Sequence, residues 1–343
     1  MGRSAVKCGR TSHGGYGLAS PRDTLLRLAA QNTWRLDRLE AGAVKEIAQA
    51  YARVRRELLG AITERRNLLY TQMARDEAAT LRALARDVEL LNQVEARMAV
   101  LQREVGQAAM GAWQEATGQA GDMARAELDI LLFSLDTGPF EFNLTRVDYD
   151  SVEIGLEEAL KALEGSQAQV SQVLRSELRV GLLRGESFDE LTARLLAKDA
   201  SVFARGEISA MLGARRNVIH ANNAARDAFY RSWGEQIPGL QKQAIAAIDH
   251  KTTKCCLRVH GQIKPLAEPY ELTAEPRFAR KIMYPPFHWN CRTSSVAYHK
   301  DFERGAKVTT ADMRDAAREE LKAREDGSRE PIKPAHATSG RGE

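Results

Sequence analysis

Apolar residues recur at helical spacing from Asp23 onward, at Leu25, Leu28, Leu36, Leu39, Ala43, Ile47, Ala50, Val54, Leu58 and Ile62, with no proline to interrupt them. That period predicts one long amphipathic helix. A second series follows at Met73, Leu81, Leu84, Val88, Leu91, Met98, Leu101 and Val105. Several of its steps alternate three and four residues, as a coiled-coil seam requires, so the two helices are expected to pack as a hairpin over residues 21–120. Their outer faces carry mixed charge, as in Arg53 to Arg56 and Glu64-Arg65-Arg66, and read as solvated surfaces.

Gly106, Gly111, Gly118 and Gly121 loosen the pattern, and Pro139 ends any helix that reaches it. Phe140, Phe142 and Leu144 alternate with polar residues and predict a short strand or an extended crossing. Helices then resume over roughly 151–164, 166–184, Phe188 to Leu196 and 203–234, making 121–204 a helical middle region. Ser187 and Glu190 suit the start of the helix at Phe188 as a cap and its reciprocal partner. The period changes at Ala244 to Ile248, a short apolar run expected to be a buried strand, and Thr293 to Tyr298 reads as a second strand. Residues 1–20 form a Gly/Ser/Arg-rich arm, and 301–343 a mostly disordered tail apart from a helix over 310–324. The expected class is mainly α, with a small α+β C-terminal module of short strands at 205–300.

The length of 343 residues suits about two domains. Fifty basic and 46 acidic residues leave a net charge of only +4, so overall balance does not mark a nucleic-acid binder. Local clusters keep non-specific contact with DNA phosphates open: Arg205, Arg215, Arg216, Arg226 and Arg231 on one helical segment, and Arg277, Arg280, Lys281 and Arg292 further on. No apolar run is long enough for a membrane span, and Met1 to Ser20 lacks the apolar core of a signal peptide. Nor does the sixth position carry the Ser or Thr of a myristoylation signal, so the expectation is a soluble chain without export or membrane anchor.

Reactive residue types gather between Asp249 and Arg292. Cys255, Cys256, Cys291, His250, His260 and His288 lie there, whereas Cys8 stands alone in the N-terminal arm. Thiols and imidazoles come from the two ends of a long Pro- and Gly-punctuated loop, which is the pattern of a staple. Cys256 and Cys291 are the first candidates for a structural zinc site, with His260, His288 or Cys255 completing the set of four donors that tetrahedral zinc wants. There is no Cys-x-x-Cys pair, and adjacent cysteines seldom share one tetrahedral ion. A Cys256–Cys291 disulfide and unlinked core cysteines remain as rival readings. Asp249, His250, His260 and His288 beside Cys256 are also residue types of a thiol- or metal-dependent hydrolase or nuclease. None of the catalytic spacings His-Glu-x-x-His, Gly-x-Ser-x-Gly or Gly-x-x-x-x-Gly-Lys-Ser/Thr is present, and no catalytic residue is assigned.

An Arg/Asn-bearing helix, a strand ending in Asp249, Thr252 and Cys256, the His260-Gly261 turn, and Pro285, Pro286, His288, Cys291 and Arg292 follow one another in that order. The series resembles the C-terminal domain of the phage Mu F-like minor head proteins, or head morphogenesis proteins, over about residues 205–300. Several members carry Cys where this chain has Thr253 and Thr293. The resemblance implies a minor, non-enzymatic component of a tailed-phage or prophage head, present in few copies near the portal. It implies contacts with the portal and other head proteins, and action in capsid assembly, DNA packaging or ejection.

Overall fold

A computed structural model describes residues 20–73, 88–134, 188–249, 252–273, 280–288, 291–303 and 306–327, together with several helical residues between 160 and 180. The N-terminal arm before residue 20, Cys8, His250, Arg277, the expected strand at Phe140 to Leu144 and the tail beyond 327 lie outside the described residues. Three long helices dominate: α1 (Pro21–Met73), α2 (Val88–Ser134) and α3 (Phe188–Gly234). α1 and α2 run antiparallel, with Arg97 paired to Glu57 at 3.5 Å and Arg53 to Glu104 on their flank. The seam is built from the residues whose period predicted it: Ile47, Val54, Leu58, Leu101 and Val105 are all buried. α3 lies against both helices. Its Ala210, Ala214, Ala221 and Ala224 join Ala112, Ala116 and Ala120 of α2 in one core, and small side chains at such a contact let helix axes approach closely.

Two boundaries differ from the sequence reading. α2 continues through its four glycines to Ser134, and α3 is one helix where two were expected. An interior glycine costs a helix only about 1 kcal/mol, which packing along both sides offsets.

The C-terminal module contains β1 (Gln241–Ala246), a short helix α4 (Lys254–Val259), β2 (Ile263–Pro265), β3 (Tyr270–Glu271), β4 (Lys281–Ile282) and β5 (Thr293–Tyr298). A 3-10 turn (Lys300–Glu303) and α5 (Thr310–Glu325) follow. The main sheet has the order β2-β1-β5, antiparallel throughout, and β3 pairs with β4 in a second ribbon. β1 starts three residues before the expected strand because Lys242 and Gln243, polar in sequence, are buried with partners. The Lys242 ammonium donates to the Met283 carbonyl at 2.8 Å and faces Asp227 at 3.4 Å.

β5 is the edge of the sheet, yet every residue in it is buried. Its outward backbone groups are capped by the helices: Ser295 N–H donates to Asn223 Oδ1 at 2.8 Å, the Tyr230 hydroxyl donates to the Ser295 carbonyl at 3.2 Å, and Ala297 N–H donates to Glu127 at 3.4 Å. Glu127 is in turn ion-paired to Arg226 and accepts from the Tyr230 hydroxyl at 2.5 Å. A buried strand edge is thereby satisfied without another strand. α5 starts with a capping box between Thr309 and Asp312, and Arg22 of α1 reaches it with a bond to Thr310 at 3.0 Å.

Candidate functional site

Two backbone segments bring the sequence-predicted cluster together. α4, which the sequence reading missed, puts Cys255 and Cys256 in its first turn behind Thr253 at the N-cap position. The Pro285–Pro286 segment, whose peptide bond is cis, leads to His288, and Cys291 follows in the same loop, two residues before β5. Cys256 Sγ lies 2.9 Å from His288 Nε2 and 3.7 Å from Cys291 Sγ. The Thr253 hydroxyl is 2.7 Å from the same imidazole nitrogen and 3.1 Å from Cys255 Sγ. The potential ligand atoms of Cys255, Cys256 and His288 all fall within 4.8 Å of one another. The cysteines are free thiols, Cys256 and Cys291 fully buried and Cys255 half-buried.

Around this cluster packs a small apolar core of Ala244, Ala246, Val259, Tyr270, Leu272 and Phe287. The remaining residues of the sequence pattern frame it. Asp249 Oδ1 accepts from the Thr252 N–H and hydroxyl, each at 3.1 Å, which closes the turn after β1. Its other oxygen accepts from Arg292 at 2.7 Å, and Arg292 also reaches Asp37 of α1 at 2.8 Å. The Asp249 and Thr252 carbonyls both accept from Arg324 of α5. Gly261 turns the chain into β2 with φ +74°, and its N–H donates to Ala244 at 2.8 Å. L side chains rarely adopt that backbone conformation.

His260 is not among the gathered donors, although the sequence reading held it as a candidate ligand. Its Nδ1 accepts the Ala246 N–H at 2.9 Å and so completes the end of β1. Burial, helped by the positive Arg22, pushes its pKa down to about 4. The cysteines diverge. Burial holds the Cys256 thiol well above its usual range, with Cys255 and Cys291 adding to the effect. Cys255 is lowered by its hydrogen bond with Cys256, then by His288 and Thr253. Burial raises Cys291, but the Cys256 hydrogen bond and His288 outweigh it and leave it lowered. A fully enclosed, protonated Cys256 is badly placed to attack a substrate as a thiolate.

Sequence reasoning overlooked Glu127 and Tyr230 and saw Asn223 and Arg226 only as part of a polar helix. The available signal was a carboxylate, an amide and a guanidinium on helix faces otherwise lined with alanine and leucine. Four of the eight arginines set aside for DNA are ion-paired within the chain: Arg215 with Glu40, Arg226 with Glu127, Arg231 with Asp227, and Arg292 with two aspartates.

A long-helix bundle that caps the edge of a compact Cys/His-bearing antiparallel module is therefore the structural class. Residues 172–296 match the family model described as Phage Mu protein F like protein, and this region of the chain is similar to that family. No curated protein and no solved structure matches it. Among the described residues no helix is long and apolar enough to cross a membrane.

Proposed function

We propose that the chain is a minor head protein of a tailed phage or prophage, incorporated into the virion near the portal vertex. There it acts in head morphogenesis, DNA packaging or ejection by holding portal and other head proteins together, with no catalytic step of its own. The observation that carries this reading is the family match over residues 172–296, which covers all of α3 and the module through Val296. The helical pair supplies the docking surface. Trp34 stands 59% exposed beside an open groove of about 520 Å³ between α1 and α2, floored by Gly42, Ala43, Ala108, Gly111 and Ala112. Small residues there leave space for a partner side chain or helix, and an exposed tryptophan is a common anchor of protein interfaces.

Mass spectrometry of purified particles, with deletion of the gene in the producing host, tests the proposal. The chain is expected in the particle at a few copies, and deletion is expected to give malformed or DNA-empty heads. Absence from particles together with normal infectious heads after deletion overturns it. Non-specific DNA contact is a lesser reading, because four of the eight arginines set aside for it are already paired. Binding to duplex DNA at low ionic strength that falls steeply with salt would support it, and no binding at low salt removes it.

A further inference from the structure

We propose that Cys255, Cys256, His288 and Cys291 hold a structural zinc ion. The inference stands on the geometry of the module and is independent of its place in a phage head. Three of the donors already lie within 4.8 Å of one another. At a zinc–sulfur distance of about 2.3 Å, two sulfurs on one tetrahedral ion are separated by about 3.8 Å. Cys256 Sγ and Cys291 Sγ are 3.7 Å apart, which brings Cys291 forward as the fourth donor, although its sulfur lies outside the 4.8 Å group of the other three and has to move inward on binding. The 2.9 Å between Cys256 Sγ and His288 Nε2 is a hydrogen-bond distance, and an ion between them opens it by under about 1 Å.

The donor set also selects the metal. Three thiols and one imidazole, with no carboxylate among them, suit zinc over magnesium or calcium. Four protein donors leave no open position, which is the arrangement of a structural ion. Cys256, His288 and Cys291 sit inside the module's apolar core, where converging polar groups are otherwise costly, while half-buried Cys255 gives the ion a way in. The Thr253 hydroxyl, between His288 and Cys255, is placed to donate to the Cys255 thiolate once the imidazole nitrogen turns to the metal. Each thiol gives its proton to solvent on binding. The complex of one dication with three thiolates and a neutral imidazole then carries one net negative charge, and no electron is transferred.

The sequence argument against adjacent cysteines loses force here because both Cys255 and Cys256 sulfurs lie near the same His288 nitrogen. The ion would tie two separate segments, α4 and the loop that leads from the prolines into β5. A core as small as this module's gains most from such a tie.

The test uses the full-length chain, expressed with zinc supplementation and purified under reducing conditions. Elemental analysis is expected to find one zinc per chain, and cobalt exchange to give the thiolate charge-transfer absorption of a tetrahedral site. A chelator is expected to lower Tm, and added zinc to restore it. Cys256→Ser and His288→Ala are expected to lose the metal. Because these buried substitutions risk unfolding, Cys255→Ser at the half-buried position provides a folded variant, expected to lose affinity about tenfold or more. His260→Asn, outside the site, is expected to retain full zinc. Less than about half an equivalent of zinc in the unaltered chain overturns the proposal, since structural zinc binds with about 10 kcal/mol or more. So does undiminished affinity in Cys255→Ser, rapid alkylation of Cys255 in zinc-loaded protein, or recovery of a Cys256–Cys291 disulfide peptide in place of metal.

Discussion

Acidification places a specific load on His260. Its Nδ1 accepts the N–H of Ala246, so the ring must be neutral, and the side chain is buried beneath the turn that links α4 to β2. The ordinary imidazole value is 6.5, and burial together with Arg22 brings His260 down to about 4. Above the ordinary value, folded and unfolded chains are both neutral at this position, and the full stability is present. Between that value and about 4 the unfolded chain takes up a proton that the folded one refuses, so stability falls as pH falls. At about 1.4 kcal/mol per pH unit, the gap amounts to about 3 kcal/mol, a large share of the roughly 5–15 kcal/mol that holds a domain folded. Urea unfolding followed by circular dichroism, at a series of pH values from neutral to about 4, measures it. The comparison is His260→Asn, which does not titrate and keeps an acceptor near the Nδ1 position. Carboxylates and the cysteine cluster titrate alike in both proteins, so the widening difference reports His260. A difference that stays flat within about 0.5 kcal/mol over that range, or wild-type protein gaining stability on acidification relative to the variant, would refute the reasoning.

Other substitutions probe the capped strand edge and the turn. Asn223→Ala strands the Ser295 N–H in a buried site and is expected to cost about 1–3 kcal/mol by denaturant unfolding, with faster hydrogen exchange in β5. Glu127→Ala leaves buried Arg226 without its carboxylate and removes the acceptor for Tyr230 and Ala297, for an expected loss of about 3–5 kcal/mol. Gly261→Ala forces a side chain into φ +74° with its Cβ 3.0 Å from Arg314 Cγ. A Tm drop corresponding to about 1–2 kcal/mol is expected, and an unchanged Tm would show that the turn relaxes freely.

The long helices were legible because an apolar period sustained over many turns is a redundant signal, and single glycines such as Gly118 could weaken it without ending the helix. Ala244 to Ala246 and Thr293 to Tyr298 were legible as strands from short apolar or β-favouring runs. α4 was not, since six residues of Lys-Cys-Cys-Leu-Arg-Val are too short to show a period and four of them favour strands as readily. Within the cluster, the sequence brought Cys256, His288 and Cys291 forward through their residue types and their places at the two ends of one loop. It could not choose between His260 and Cys255, because that choice depends on which way α4 turns. Lys242 and the Glu127–Arg226 pair were hidden for a related reason: a charged residue reads as exposed until its partner, distant in sequence, is known.

The strand edge explains why the family match spans two kinds of structure. Its residues 172–296 contain both the helix that caps and the strand that is capped: Asn223, Arg226 and Tyr230 on α3, and Ser295 on β5. Without the helices, the edge of β5 would expose unpaired N–H and C=O groups. The neutralising carboxylate, Glu127, comes from α2 and lies outside the matched region. Asn32 of α1 adds a second link, donating to Asn222 at 3.0 Å, while Asn222 donates to the Ala116 carbonyl of α2 at 3.2 Å. Arg292 adds a third by bonding Asp249 in the module and Asp37 on α1. The long helical pair therefore completes the polar interior of the module as well as standing beside it. A partner seated in the groove beside Trp34 would press on the same helices that carry Asn32, Asp37 and Glu127, close to the contact of Asp37 with Arg292 of the module.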